Sequence, residues 1–327
     1  MGPGSVDNEG AMKALVLENK RIRVDEVPRP EPAEGEVLIR VLKAGVCRTD
    51  LELAGGYMDF KGIPGHELVG SVEDAPDKEW IGRRVVGEIN LSCGRCRFCG
   101  RGLTKHCPYR SVLGIANKDG AFAEYLTLPL SNCHIVVDGI SDHEAVFAEP
   151  LAAALDVMEK IDIDEEDEVC VQGDGKLGLL TALVLNRRFP CVCCIGKHER
   201  NLDLLRKQGI KTVFRDESPE LKFDVVVEAT GREEGLADAL ERVVPDGRIV
   251  LKSTIRGLAG LDISRVVVDE IRLFGSRCGA FPPALRLLEK KSVPVAEMVD
   301  AEFPLERGLE ALSLARKPGA LKVLLIP

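Results

Sequence analysis

Four cysteines, Cys93, Cys96, Cys99 and Cys107, stand within fifteen residues at spacings of two, two and seven. Thiolates so close in sequence can close a tetrahedral shell on one ion, zinc in preference to an iron–sulfur cluster. A shell completed by protein leaves no position for substrate, so a structural role is expected. Gly94, Gly100 and Gly102 supply the turns such a loop needs. Arg95, Arg97, Arg101 and Lys105 suggest the rival reading, a zinc ribbon on nucleic acid. A formal charge of -9 over the whole chain opposes that reading, because polyanions repel an acidic protein. Cys47, the pair His66-Glu67 and Glu149 are further candidate ligands, far apart in sequence. Each alone is bland. Together they could hold a zinc with three protein ligands and one open position, the arrangement that polarises an alcohol oxygen.

The second motif is Val169-Cys-Val-Gln-Gly173-Asp-Gly175-Lys176-Leu177-Gly178, a G-x-G-x-x-G that follows an apolar strand and opens a helix. In that context Gly173 allows the tight turn, Gly175 lets backbone approach a pyrophosphate, and Gly178 lets helix pack on strand. Lys176 and Leu177 lead into the helix whose N-terminus would receive the anion. An NAD site places Asp or Glu about 20 residues on, at the end of the next strand, to take the ribose hydroxyls. Gly196 stands there instead, followed by Lys197, His198 and Arg200, with Glu199 dissenting. Glycine makes room for a 2′-phosphate and the cations would pair with it, so NADP(H) is expected in preference to NAD(H).

These motifs need elements to carry them. The chain of 327 residues suits two domains of ordinary globular composition. Residues 14–17, 21–24, 36–41, 68–72 and 84–87 are β-rich runs separated by Gly and Pro, which predicts an irregular, mostly antiparallel β domain. After Pro150 the pattern alternates. Helices are expected at 151–161, 176–186, 201–208 and 236–243, and strands at 168–172, 191–195, 224–228 and 248–251. Alternation of this kind means a doubly wound parallel sheet. Helices at 283–289 and 305–315 and a strand at 321–325 are expected to return to the first domain. The predicted domains are therefore 12–150 with 283–327, and 151–282. Residues 1–11 read as a vector-derived tail without the features of a signal peptide. Eleven cysteines with no secretion signal point to a reduced, cytoplasmic protein. No apolar run is long enough to span a bilayer.

From about Met12 to Pro327 the chain resembles the medium-chain zinc-dependent alcohol and polyol dehydrogenases. The matching stretches are Ala44-Gly-Val-Cys-Arg-Thr-Asp50, Gly65-His66-Glu67 with Gly70, the four-cysteine lobe and Asp119-Gly-Ala-Phe-Ala-Glu-Tyr125. Ala148-Glu149-Pro150-Leu151, the glycine loop, Glu228-Ala-Thr230-Gly231 and Gly275-Ser-Arg-Cys-Gly279 match as well. The resemblance implies a GroES-like catalytic domain, a Rossmann cofactor domain and two zinc ions per chain. One is structural, in the cysteine lobe. The other is catalytic, held by Cys47, His66 and either Glu149 or Glu67. It further implies that Asp50 orients the ligating histidine and that Thr49 takes the substrate proton. Glu52 stands where the family's proton relay has a histidine. Arg48 and Lys322 match positions that meet cofactor phosphate, and Thr230 lies in a cofactor-contacting turn.

The activity expected is hydride transfer between NADP(H) and an alcohol, polyol, sugar or the corresponding carbonyl, in the cleft between domains. The alternatives are reduction of a C=C or C=N bond on the same fold, and a non-catalytic zinc and dinucleotide-binding regulator. Partners are confined to the small-molecule substrate, without nucleic acid or membrane, and to copies of the chain as a homodimer or homotetramer.

Overall fold

A computed structural model describes residues 10–217, 220–254 and 263–327. All but the last two residues of the expected tail lie outside that range. The described chain forms two compact units: Met1–Phe147 with Val299–Lys317 and Lys322–Pro327, and Ala148–Met298 with Pro318–Leu321.

In the first unit, β1 (Ala11–Glu18) and β2 (Arg21–Pro28) pair as an antiparallel hairpin. Next come β3 (Glu36–Gly45), the short helix α1 (Arg48–Ala54), β4 (Glu67–Asp74) and β5 (Arg84–Gly87). A two-stranded ribbon, β6 (Asn90–Leu91) with β7 (Ser111–Val112), flanks the cysteine lobe in sequence. β8 (Tyr125–Pro129), β9 (Cys133–Ile135) and α2 (Asp142–Ala145) complete the N-terminal run. From the far end of the chain come β16 (Val299–Pro304), α9 (Gly308–Ala315) and β17 (Lys322–Ile326). The main sheet runs β16-β17-β3-β4-β5-β9, with β8 on β3. Its pairs are antiparallel except β16 with β17. Leu15, Leu17, Ile39, Phe122 and Leu128 are wholly buried at its core, each worth roughly 1.5–3 kcal/mol of apolar burial.

The second unit is a six-stranded parallel sheet in the order β12-β11-β10-β13-β14-β15. Its strands are β10 (Val169–Gln172), β11 (Val192–Gly196), β12 (Lys211–Phe214), β13 (Phe223–Glu228), β14 (Val243–Leu251) and β15 (Arg272–Gly275). The helices are α3 (Ala148–Lys160), α4 (Lys176–Asn186), α5 (Glu199–Arg206), α6 (Gly235–Arg242), α7 (Ser264–Val268) and α8 (Phe281–Glu289). Unbroken apolar runs such as Val169-Cys-Val and Val225-Val-Val suit strands covered on both faces. Chain order reverses on either side of β10, so the carboxyl ends of β10 and its neighbours form the switch point where such sheets bind ligands.

One boundary differs from expectation. Helix α8, assigned to the first domain with the rest of 283–327, packs on α3 in the second unit. The cause lies just before it: Gly279 brings its Cα against the Ala152 carbonyl, a backbone approach that no side chain would permit. The return to the first unit starts at Val299. β8, β9, β12, β15 and β16 did not stand out in sequence, being short or half-polar.

Candidate metal centre and dinucleotide loop

Among the described residues, two groups of side chains could hold a metal ion, Cys93-Cys96-Cys99-Cys107 and Cys47-His66-Glu67. In the lobe the sulfur separations are 3.5 Å for Cys96–Cys99, 3.5 Å for Cys93–Cys107, 3.7 Å for Cys96–Cys107 and 4.0 Å for Cys93–Cys99. A tetrahedron with Zn–S bonds of ~2.3 Å has edges of ~3.8 Å, so the donor set fits zinc. The Arg95 backbone N–H, helped by the Cys107 and Cys96 thiols, brings Cys93 down to about 6, toward the thiolate a metal needs.

The second group is assembled by strand register. β3 and β4 pair with Gly45 opposite Glu67, and β17 pairs with β3 on its other side, with Leu324 opposite Gly45. The Val46 N–H continues that ladder onto the Val323 carbonyl at 2.9 Å. Cys47, immediately beyond β3, is the N-cap of α1, so the strand ends deliver Cys47, His66, Glu67 and Lys322 to one place. The Cys47, His66 and Glu67 ligand atoms lie within 4.8 Å of one another. Gly45 is required here because any Cβ would strike the Glu67 carboxylate and Val146.

Asp50, wholly buried in the first turn of α1, ties the parts together. Its Oδ2 accepts the Cys47 N–H at 2.8 Å, its Oδ1 accepts the Gly65 N–H at 3.3 Å, and Oδ1 lies 3.2 Å from His66 Nδ1. The last pair is within ion-pair reach, but its angle is not that of a hydrogen bond. Burial acts to lower the His66 pKa, but the Asp50 carboxylate and Cys47 thiol outweigh it and raise the pKa well above the ordinary value. The same negative surroundings attract a metal cation. Thr49 Oγ1 lies 3.8 Å from Cys47 Sγ.

The remaining expected residues are accounted for as follows. Arg48 is exposed and reaches Glu52 along α1, Nε to Oε1 at 3.2 Å. Glu149 lies in the first turn of α3, in the second unit, where a carboxylate complements the helix dipole. Lys322 stands at the start of β17 in the first unit. Expected at a cofactor phosphate, it is wholly buried, with its ammonium on the Glu67 carboxylate and 5.3 Å above the Phe147 ring.

In the second unit the glycine loop has the geometry its spacing predicts. Gly173 has φ +120°, Gly178 packs directly on the Gly173 carbonyl, and Gly175 caps α4 with open space over its Cα. Thr230 is fixed by Glu228, whose Oε1 accepts its backbone N–H at 2.8 Å and its hydroxyl at 2.5 Å. Lys197 and Arg200 are exposed, and Glu199 is drawn along its own helix to Arg206 at 2.7 Å. The His198 ring turns inward, its Nδ1 3.1 Å from each carboxylate oxygen of Asp174. No role for Asp174 was expected from the motif. Its signal was present, a carboxylate two residues before a helix in a loop that is otherwise glycine.

Comparison with known proteins agrees with this construction. Residues 33–138 match the alcohol dehydrogenase GroES-like domain. An erythritol/L-threitol dehydrogenase of Mycolicibacterium smegmatis is 30% identical over 97% of this chain and 98% of its own. An L-threonine 3-dehydrogenase of Rhizobium etli is 31% identical over 81% of this chain and 83% of its own. Among solved structures, an alcohol dehydrogenase of E. coli complexed with NADH superposes with TM-score 0.89 at 26% identity, covering 97% of this chain and all of that one. A candidate zinc-binding dehydrogenase of Sinorhizobium meliloti bound to NADP superposes with TM-score 0.88 at 26% identity, covering 98% of this chain and all of that one. With a GroES-like unit bearing the paired ligand sets and a Rossmann unit bearing the glycine loop, this chain belongs to the medium-chain zinc-dependent dehydrogenase family of oxidoreductases.

Proposed function

We propose that the protein transfers a hydride between a nicotinamide dinucleotide and an alcohol or polyol, or the corresponding carbonyl, with one catalytic and one structural zinc per chain. The observation that carries this reading is the convergence of Cys47, His66 and Glu67 within 4.8 Å where the end of β3 meets the start of β4. A zinc held there supplies a Lewis acid for the reacting oxygen, and a nicotinamide held at the glycine loop supplies or takes the hydride.

The chain's own residues do the rest. Asp50 holds the strand-to-helix turn through the Cys47 and Gly65 N–H groups and lies beside His66 Nδ1, which would leave the other ring nitrogen to a bound ion. Thr49, two residues from Cys47, takes the hydroxyl proton and passes it outward, toward Glu52 on the next turn of α1. Lys322 pairs with Glu67, so that the carboxylate would add less than its full charge beside a bound ion. The third ligand is Glu149 or Glu67. Polyols and hydroxy-amino acids are the substrate classes suggested by the curated relatives. A homodimer or homotetramer in the cytoplasm goes with this reading; among the described residues no helix is long and apolar enough to cross a membrane.

The finer expectation, NADP(H) over NAD(H), rests on Gly196 with Lys197, His198 and Arg200. It weakens once His198 is seen to be engaged by Asp174.

The test joins metal analysis to turnover. Metal-replete protein should carry two zinc ions per chain and oxidise members of an alcohol and polyol panel. Cys47→Ser should keep the fold and one zinc while losing at least a thousandfold in kcat/KM. Metal confined to the cysteine lobe in the parent protein, with no alcohol or carbonyl turned over, would remove the proposal.

A further inference from the structure

The end of β11 is where a Rossmann sheet ordinarily sets an acid, and Gly196 there has none. The position is nonetheless not free of negative charge. Parallel pairing of β10 with β11 places Gln172 beside Ile195, so the loop after β10 runs alongside the end of β11. A Cβ built on Gly196 would lie 2.5 Å from Asp174 Cβ, 2.7 Å from its Cγ and 2.8 Å from its Oδ2. The volume that an acid at 196 would enter is therefore already filled by a carboxylate from the neighbouring loop.

That carboxylate is held firmly. Asp174 Oδ2 accepts the backbone N–H of Lys197 at 2.9 Å and of His198 at 2.5 Å, and the His198 ring faces both oxygens. The buried Asn201 donates its Nδ2–H to the Asp174 carbonyl at 2.9 Å and to Gly319 at 3.2 Å, which pins the loop from behind. The two backbone donors at this strand end, which could otherwise receive a phosphate, are spent. The His198 ring, turned toward the same carboxylate, is withdrawn with them.

We propose that Asp174 selects the cofactor, rejecting a 2′-phosphate and so directing the enzyme to NAD(H) rather than NADP(H). This rests on the glycine loop being the dinucleotide site of the proposed function. The opposing charges are unequal in weight. Lys197 and Arg200 are exposed side chains, and exposed pairs contribute little in water and salt. Asp174 is almost wholly buried and held by the Lys197 and His198 N–H groups. Its repulsion of a dianionic phosphate, taken even at the dielectric of water and ~6 Å, is worth about tenfold in affinity.

Binding of NADH and NADPH to the full chain, followed by nicotinamide fluorescence, tests this without any turnover. The parent protein should bind NADH at least about tenfold more tightly. Asp174→Asn, which keeps an oxygen for the Lys197 and His198 N–H groups but removes the charge, should narrow that ratio about tenfold, chiefly by tightening NADPH. Competition by 2′-AMP against 5′-AMP on the parent protein needs no variant, and 2′-AMP should be the weaker. Equal or tighter NADPH binding by the parent, stronger competition by 2′-AMP, or an unchanged ratio in folded Asp174→Asn would each overturn the role of Asp174. A chain that binds neither dinucleotide overturns the site itself. A chain with the expected ratio but no oxidoreductase activity leaves Asp174 standing and removes the proposed reaction.

Discussion

Lys322→Met probes the electrostatics of the metal centre. Lys322 is wholly buried, and its ammonium meets the Glu67 carboxylate, itself only 2% exposed in its side chain. Methionine keeps an unbranched stem over the Phe147 ring but leaves the carboxylate without its partner. Removing one member of a buried ion pair costs about 3–5 kcal/mol, because the survivor has lost its water and gained nothing in exchange. For a unit of this size that is a fall in Tm of roughly 10 °C. Glu67→Gln should cost a similar amount, and the double variant much less than the sum, with a coupling of about 2–3 kcal/mol. A divalent cation beside Glu67 can stand in for the ammonium, so zinc loading should shrink the penalty of Lys322→Met and leave that of Glu67→Gln largely in place. Scanning calorimetry of chelated and zinc-loaded forms of all four proteins reads each term. Additive single effects, or a Lys322→Met penalty indifferent to zinc, would refute the argument that these two charges form one unit facing the ion.

Gly120→Ala should be costly although alanine is barely larger: its Cβ would strike the Gly65 carbonyl, with Pro64 O at 2.6 Å and Gly114 Cα at 2.7 Å, all backbone. We expect a loss of about 3 kcal/mol and weakened zinc retention at the His66 centre, read by calorimetry and metal analysis, with the cysteine lobe unaffected. Glu36→Gln should show a pH signature. Burial acts to raise the Glu36 carboxyl, but Lys118 at 2.7 Å, with Thr127 and the Ala33 N–H, holds it below the ordinary 4.5. A depressed carboxyl contributes stability that is present above its unfolded pKa and lost as pH falls through its folded one. The variant should therefore melt a few degrees lower at pH 7 and match the parent in acid below that window; a gap independent of pH would dismiss the Glu36–Lys118 pair as its source.

What the sequence determined by itself was everything local. Four cysteines inside fifteen residues can reach one ion whatever the rest of the chain does, and their sulfur separations accordingly match the expected shell. The glycine loop is equally local, since a strand, a tight turn and a helix are adjacent in sequence, and Lys176–Asn186 folds as the helix its pattern predicts. Alternation of strand and helix was enough for the parallel sheet. Register was another matter. That Cys47, His66 and Glu67 converge depends on Gly45 pairing with Glu67, and a one-residue slip would turn Glu67 to the opposite face. Motif resemblance named the candidate ligands, but only the third dimension explained why they meet. The same holds for Lys322, whose ammonium meets a carboxylate more than 250 residues away. It holds as well for Asp174, set between glycines in sequence but packed against Gly196 at the end of the next strand. Long-range pairing of strand ends decided both, because a side chain's charge acts on whatever the backbone brings beside it, and spacing along the chain does not encode that neighbour.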